Sequence, residues 1–342
     1  MQAVVIDKPG DVSLADLPDP VPGPEDIVVA VRACGICGTD LHIIDGDFAL
    51  ATYPLVPGHE FAGEVVAVGR EAKGISAGMM VTADPNNYCG RCRPCREGHG
   101  NLCENFNAIG VTMPGAFADF VLVPYWLAHP LPAGFDMSVA ALSEPLSCVV
   151  HGYDLVPSKL GDSFLIYGGG SIGLMLALLA SRVGAISVTV VEPNPRRREI
   201  AKSFNIGEVV ATDADLGTAR FDVVIEASGS LAAIEDAGRR VGRGGVYHQF
   251  GVAPSEARAT FSPFRLYNDE ATFVGSMAVL HSFDRACDIA VHLDLGLSRL
   301  VTDLLPLSSY EEALALVRNG NGLKVQLVPG LSTALQTQQA SP

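Results

Sequence analysis

A strand-length apolar run, Phe164 to Tyr167, leads directly into Gly168, Gly170 and Gly173 in the spacing G-x-G-x-x-G, and a helical stretch opens at Ser171. Strand, glycine turn and helix in that order make a cradle for a dinucleotide pyrophosphate. The first glycine permits the tight turn, the second lets the pyrophosphate approach the backbone, and the third lets the helix pack close to the strand. The free N–H groups at the helix start, around Ser171 and Ile172, then face the anion. The next strand-length run, Ser187 to Val191, ends at Glu192, where a carboxylate would hydrogen-bond the two ribose hydroxyls of the adenosine. That residue favours NAD over NADP, whose 2′-phosphate it would repel. Arg196 and Arg197 could reach such a phosphate if the turn at Pro193, Asn194 and Pro195 bent inward; otherwise they form the solvated first turn of a helix.

Runs of strand length continue to alternate with helical stretches through Phe221 to Ala227 and Gly245 to Phe250. This alternation predicts an α/β unit, a parallel sheet wrapped by helices. The chain before it differs. From Met1 to about Ser147 it reads as strand and turn, with Val4 to Ile6, Ile27 to Val31 and Glu64 to Val68 separated by Pro- and Gly-rich connections. A length of 342 residues favours two domains. After a helical stretch beyond Ser282, the run Leu323 to Val328 has no place in the alternation and is expected to return to the first domain. The last dozen residues, LSTALQTQQASP, read as a polar tail.

Composition excludes several classes. A net charge of −15 would repel a phosphate backbone, so nucleic acid is not expected as a partner. No uninterrupted apolar stretch is long enough to cross a bilayer, and MQAVVIDKPGDV lacks the pattern of a secretory leader, so the expected location is cytoplasmic, away from membrane.

Cys89, Cys92, Cys95 and Cys103 are spaced C-x2-C-x2-C-x7-C, tight enough to surround one ion. Four thiolates leave no open position, which points to structural zinc; a pair of disulfides and an iron–sulfur cluster are the alternatives. Elsewhere Cys37 in CGICGTDLH, His59 and Glu60 in PGHE, and Glu144 in SEPLS offer one thiol, one imidazole and two carboxylates. That set suits a catalytic zinc with an open or water-filled position. Taken singly, each reads as a buried turn cysteine, a core histidine or a loop acid.

Together CGICGTDLH, GHEFAGEVVAVG, the four-cysteine lobe, EPLS and YGGGSIG resemble the zinc-containing medium-chain alcohol dehydrogenase family, in the same order from the N-terminus to about Pro329. The resemblance implies a chaperonin-10-like β-rich catalytic domain, 1–147 with 286–342, and a Rossmann nucleotide-binding domain, 148–285. It implies two zinc ions, one structural and one catalytic, and an NAD-linked hydride transfer, with two or four copies assembled. Cys37, rather than Cys34, matches the family's zinc ligand; Cys34 stays a buried thiol. His59 matches the second ligand, with Glu60 or Glu144 completing the set and Asp40 orienting an imidazole from behind. Thr39 and His42 match a proton relay. EPLS resembles the polyol and sugar branches, so a sugar alcohol oxidised to a ketose is the leading substrate class. Gly275, Ser276, Met277, Ala278 and Val279 stand where many polyol dehydrogenases carry an Arg-Tyr pair, which points to a less polar pocket. Threonine, glucose and secondary-alcohol dehydrogenases are alternatives within the family. A zinc-binding structural or regulatory protein that lost the chemistry is the alternative outside it.

Overall fold

β-branched runs form strands Gln2–Lys8 (β1) and Asp11–Asp16 (β2), which pair as a hairpin, and Asp26–Gly35 (β3). In β3 every residue from Ile27 to Gly35 except Arg32 is buried, as expected of a strand covered on both faces. It is the hub of a seven-stranded sheet. Glu60–Val68 (β4) runs antiparallel to it, putting Glu60 beside Gly35, and is followed by Met80–Ala83 (β5). Phe120–Pro124 (β6) also pairs with β3, and Ala128–Pro130 (β7) closes one edge on β5. Two helices of eight residues or more interrupt what the sequence presents as strand and turn. Gly38–Asp45 (α1) starts at the Cys37 cap, and Ser143–Leu155 (α2) opens on Ser143 and Glu144. Both lie in short motifs whose glycine and proline mask helical periodicity.

The structure, a computed structural model, describes residues 1–331; all but the first residue of the polar tail lies outside them. The chain divides into two units, one containing Met1–Ser147 and the segment from Val279 onward, the other Cys148–Ala278. In the second unit Ser163–Tyr167 (β8), Ser187–Val191 (β9), Glu208–Val210 (β10), Phe221–Glu226 (β11), Val241–Gln249 (β12) and Thr272–Gly275 (β13) form one parallel sheet. Its order is β10-β9-β8-β11-β12-β13, with the switch in direction beside β8. Ser171–Arg182 (α3), Pro195–Ser203 (α4) and Leu231–Arg240 (α5) are its longer crossovers. Strand β12 begins four residues before the apolar run at Gly245, because α5 leads straight into it and Gly242, Gly244 and Gly245 conceal the strand pattern.

From Val279 the chain supplies the first unit again. Phe283–His292 (α6) is followed by Val301–Pro306 (β14), Tyr310–Arg318 (α7) and Lys324–Val328 (β15). Strand β15 pairs antiparallel with the end of β3, Gln326 with Gly35 and Leu327 with Cys34. Leu305, Tyr310, Val325 and Leu327 share one apolar core with Val29, Phe61, Phe117 and Val123. Burial of such side chains stabilises by about 1.5–3 kcal/mol each, so the return is part of the core rather than an appendage. Among the described residues no helix is long and apolar enough to cross a membrane.

Candidate metal centre and dinucleotide loop

Strand β3 delivers Cys37 to the start of α1, and the loop before β4 delivers His59 and Glu60. One buried carboxylate ties the two segments. Asp40 Oδ2 accepts the Cys37 backbone N–H at 2.8 Å, and its Oδ1 accepts that of Gly58 at 3.3 Å. The consequence is convergence: a sulfur of Cys37, a ring nitrogen of His59 and a carboxylate oxygen of Glu60 lie within 4.8 Å of one another. His59 Nδ1 stands 3.5 Å from Asp40 Oδ1 and is buried without a hydrogen bond among the described residues. Burial opposes an imidazolium there, yet Asp40 and then Cys37 outweigh it and hold the histidine well above its ordinary pKa. The cluster therefore attracts positive charge. A half-buried thiol with a buried imidazole and a buried carboxylate fits zinc by donor chemistry as well as by charge.

Thr39 Oγ1 lies 3.7 Å from Cys37 Sγ, and His42, half-buried, follows one turn later on the same face of α1. Glu144 is buried at the first turn of α2 but does not join the converging trio; its charge acts on Lys324 instead. Cys34 is fully buried, and burial above all pushes its thiol up, which keeps it protonated and inert.

The four lobe cysteines also have their sulfurs within 4.8 Å of one another. Cys92 and Cys103 sulfurs are 3.8 Å apart, matching the ~3.8 Å edge of a tetrahedron with Zn–S bonds of ~2.3 Å and far beyond a disulfide bond of ~2.05 Å. All eight cysteines are free. Backbone N–H groups aim at the sulfurs, Cys89 at Cys103 (3.3 Å), Cys92 at Cys89 (3.4 Å) and Asn105 at Cys103 (3.3 Å). Such donors, those of Arg91 and Cys92 first, draw the Cys89 thiol down to about 6, whereas burial and the neighbouring sulfurs push Cys95 up to about 12. Four sulfurs this close, with backbone N–H donors aimed at them, fit a bound cation.

In the second unit Gly168 turns with φ 102°, and a Cβ on Gly173 would stand 1.8 Å from the Gly168 carbonyl oxygen, so helix and turn can touch only through glycine. A Cβ on Gly170 would meet nothing within 4 Å. The cradle above the start of α3, at Ser171 and Ile172, is open for a pyrophosphate. Glu192, buried at the end of β9, accepts from Gly169 N and Asn194 N, each at 2.7 Å, and so braces the glycine loop. Arg196 is exposed and Arg197 half-buried in the first turn of α4, where Asn194 caps both backbone N–H groups. Arg198 folds back onto the carbonyls of Glu192 and Pro193.

Comparison with known proteins agrees with this geometry. Residues 23–133 match the Alcohol dehydrogenase GroES-like domain family, and residues 171–291 match the Zinc-binding dehydrogenase family. D-arabinitol dehydrogenase 1 of Uromyces fabae is 34% identical over 96% of this chain and 97% of its own length. The chain belongs to the zinc-containing medium-chain alcohol dehydrogenases. D-altritol 5-dehydrogenase of Agrobacterium fabrum is 34% identical over 90% of this chain and 93% of its own. A solved structure from Sinorhizobium meliloti, described as a zinc-binding dehydrogenase bound to NADP, matches with a TM-score of 0.89 at 34% identity, covering 96% of this chain and 99% of that one. This medium-chain dehydrogenase is thus a zinc-dependent alcohol or polyol oxidoreductase, with a GroES-like domain and a Rossmann sheet.

Beside this cluster the dehydrogenase carries a buried cation that the motifs do not announce. Lys324 is 3% exposed on β15, and its Nζ donates to both oxygens of Glu60, at 2.8 and 2.6 Å. In sequence it is only a lysine in LKVQLV. A charged residue opening a mostly apolar strand was the available signal, but its partner lies 264 residues away.

Proposed function

We propose that this enzyme oxidises a secondary hydroxyl of a polyol or sugar alcohol to the ketone, with NAD as acceptor, and catalyses the reverse reduction with the same residues. The observation that carries the reading is the convergence of Cys37, His59 and Glu60 beside the Thr39 hydroxyl. These residues would hold a catalytic zinc, and Cys89, Cys92, Cys95 and Cys103 a structural one. When bound, the catalytic ion supplies Lewis acidity that makes the substrate hydroxyl more acidic, and the dinucleotide supplies the hydride acceptor. Thr39 takes the hydroxyl proton by hydrogen bonding and passes it to His42, which releases it to water. Asp40 keeps both ligand-bearing segments in place through the Cys37 and Gly58 N–H groups. Glu144, in the EPLS motif shared with the polyol branch, sits buried near Lys324 and favours hydroxylated over apolar substrates.

Glu192 supports NAD. Its carboxylate already sits at the glycine loop, where a 2′-phosphate would meet like charge. Arg197 in the next turn, and the NADP bound in the Sinorhizobium meliloti relative, favour NADP as the second reading. L-threonine is the second substrate reading, because L-threonine 3-dehydrogenase of Chelativorans sp. is 35% identical over 95% of this chain. Steady-state kcat/KM across pentitols, hexitols, L-threonine and short secondary alcohols, each with NAD and NADP, tests all of this. The expected maximum is a polyol with NAD; turnover confined to threonine, or a large NADP preference, overturns the corresponding part. Metal analysis should give two zincs per chain, one of them lost with activity in Cys37→Ser.

A further inference from the structure

Glu60 faces two ways. One carboxylate oxygen belongs to the knot with Cys37 and His59, while both oxygens receive the Lys324 ammonium. The pair is sealed: Glu60 is 1% and Lys324 3% exposed, and among the described residues Nζ donates further to the Ile36 carbonyl at 3.5 Å. Space for it is set by the backbone. Gly35 lies between Glu60 on β4 and Gln326 on β15, and a Cβ on Gly35 would come within 2.1 Å of Glu60 Oε2. A buried ion pair rarely adds net stability, because desolvating both charges offsets most of their attraction. A hydrophobic pair of the same shape would serve the core equally well, so this arrangement calls for another reason.

We propose that Lys324 is a positioning residue that shares Glu60 with the catalytic metal, holding the carboxylate back from permanent ligation so that a coordination position stays available to substrate. The inference rests on Cys37, His59 and Glu60 holding zinc. With Lys324 in place, Glu60 is divided between an ammonium and the ion; without it, a buried carboxylate has the ion as its sole cationic partner and binds it as a full ligand. Lys324 touches neither substrate nor cofactor, and acts only through Glu60.

The test uses the intact zinc enzyme and its cobalt-substituted form, comparing the parent with Lys324→Met, Lys324→Arg, Glu60→Gln and Lys324→Met/Glu60→Gln. The double variant removes both charges and so guards against misfolding of Lys324→Met alone. Zinc release to a chromogenic chelator from the catalytic site is expected to slow by about tenfold in Lys324→Met, with a changed cobalt d–d spectrum, and kcat to fall by about tenfold. Lys324→Arg should restore much of each. In the Glu60→Gln background the lysine substitution should change neither release rate nor spectrum. Equal release rates and identical spectra for parent and Lys324→Met, both carrying two zincs, would overturn the role of Lys324 and leave the catalytic zinc standing. A parent that binds a single zinc would remove the catalytic-zinc reading, and this inference with it.

Discussion

A methyl group at Gly35 would collide with a carboxylate that has nowhere to go. Glu60 is fixed by Lys324 and packed against the flat backbone of β3, and the clash would involve a charged pair rather than the free end of a flexible chain. Gly35→Ala is therefore expected to destabilise by about 1–3 kcal/mol, as overpacking of a core does, and to loosen the catalytic ion at the same time. Urea unfolding and zinc retention on dialysis measure the two effects, and parental values for both would mean that β3 and β4 can part without harm. Glu192 shows a similar economy. It braces Gly169 and the turn at Asn194 before any ribose arrives, so its removal should disorder the loop as well as weaken cofactor affinity.

At the scale of an element, the lobe from Cys89 to Cys103 contains only a single helical turn, Arg93–Arg96, and one of 3-10 helix, Gly100–Leu102. Sulfurs aimed inward by backbone N–H donors, rather than an apolar core, determine its shape. Cys95→Ser should lower zinc content to one per chain and lower the unfolding midpoint, while molecules that remain folded keep their kcat, because a closed tetrathiolate site has no position for substrate. Loss of kcat in step with the structural ion, at unchanged stability, would contradict that division of labour. Helix α1 is the converse case, an element whose local cap, Cys37 with Asp40, also supplies one residue of the candidate metal cluster. It was invisible as a helix in CGICGTDLH, because eight residues beginning with glycine carry little periodicity.

For the molecule as a whole, acid sensitivity should reflect His248. This residue is fully buried on β12, with its Nε2 2.8 Å from Ser276 Oγ, and burial first, then the neighbouring His151, lowers it from 6.5 to about 4. The unfolded chain takes up this proton near the ordinary value, and the folded one resists until about 4. Its stabilising contribution is thus present above pH 6.5 and lost as pH falls through 4. Between about pH 7 and about pH 4 the stability difference between the parent and His248→Gln should shift by of order 3 kcal/mol in favour of the variant. A difference that stays constant across that range in urea titrations would exclude His248 as the cause. What the sequence by itself determined were the features written in local spacing. The glycine loop, the alternating strands and helices and the four-cysteine lobe need only neighbours within a few residues, because a turn, a helix start or a chelate ring is closed by adjacent backbone. Cys37, His59 and Glu60 were legible as chemically apt residues in recognisable motifs, but their approach to within 4.8 Å depends on β3 and β4 lying side by side. Only the tertiary structure decided that Lys324 joins them. Strand β15 must cross back to pair with the end of β3, and no local pattern records which carboxylate a buried ammonium will meet once the intervening chain has folded.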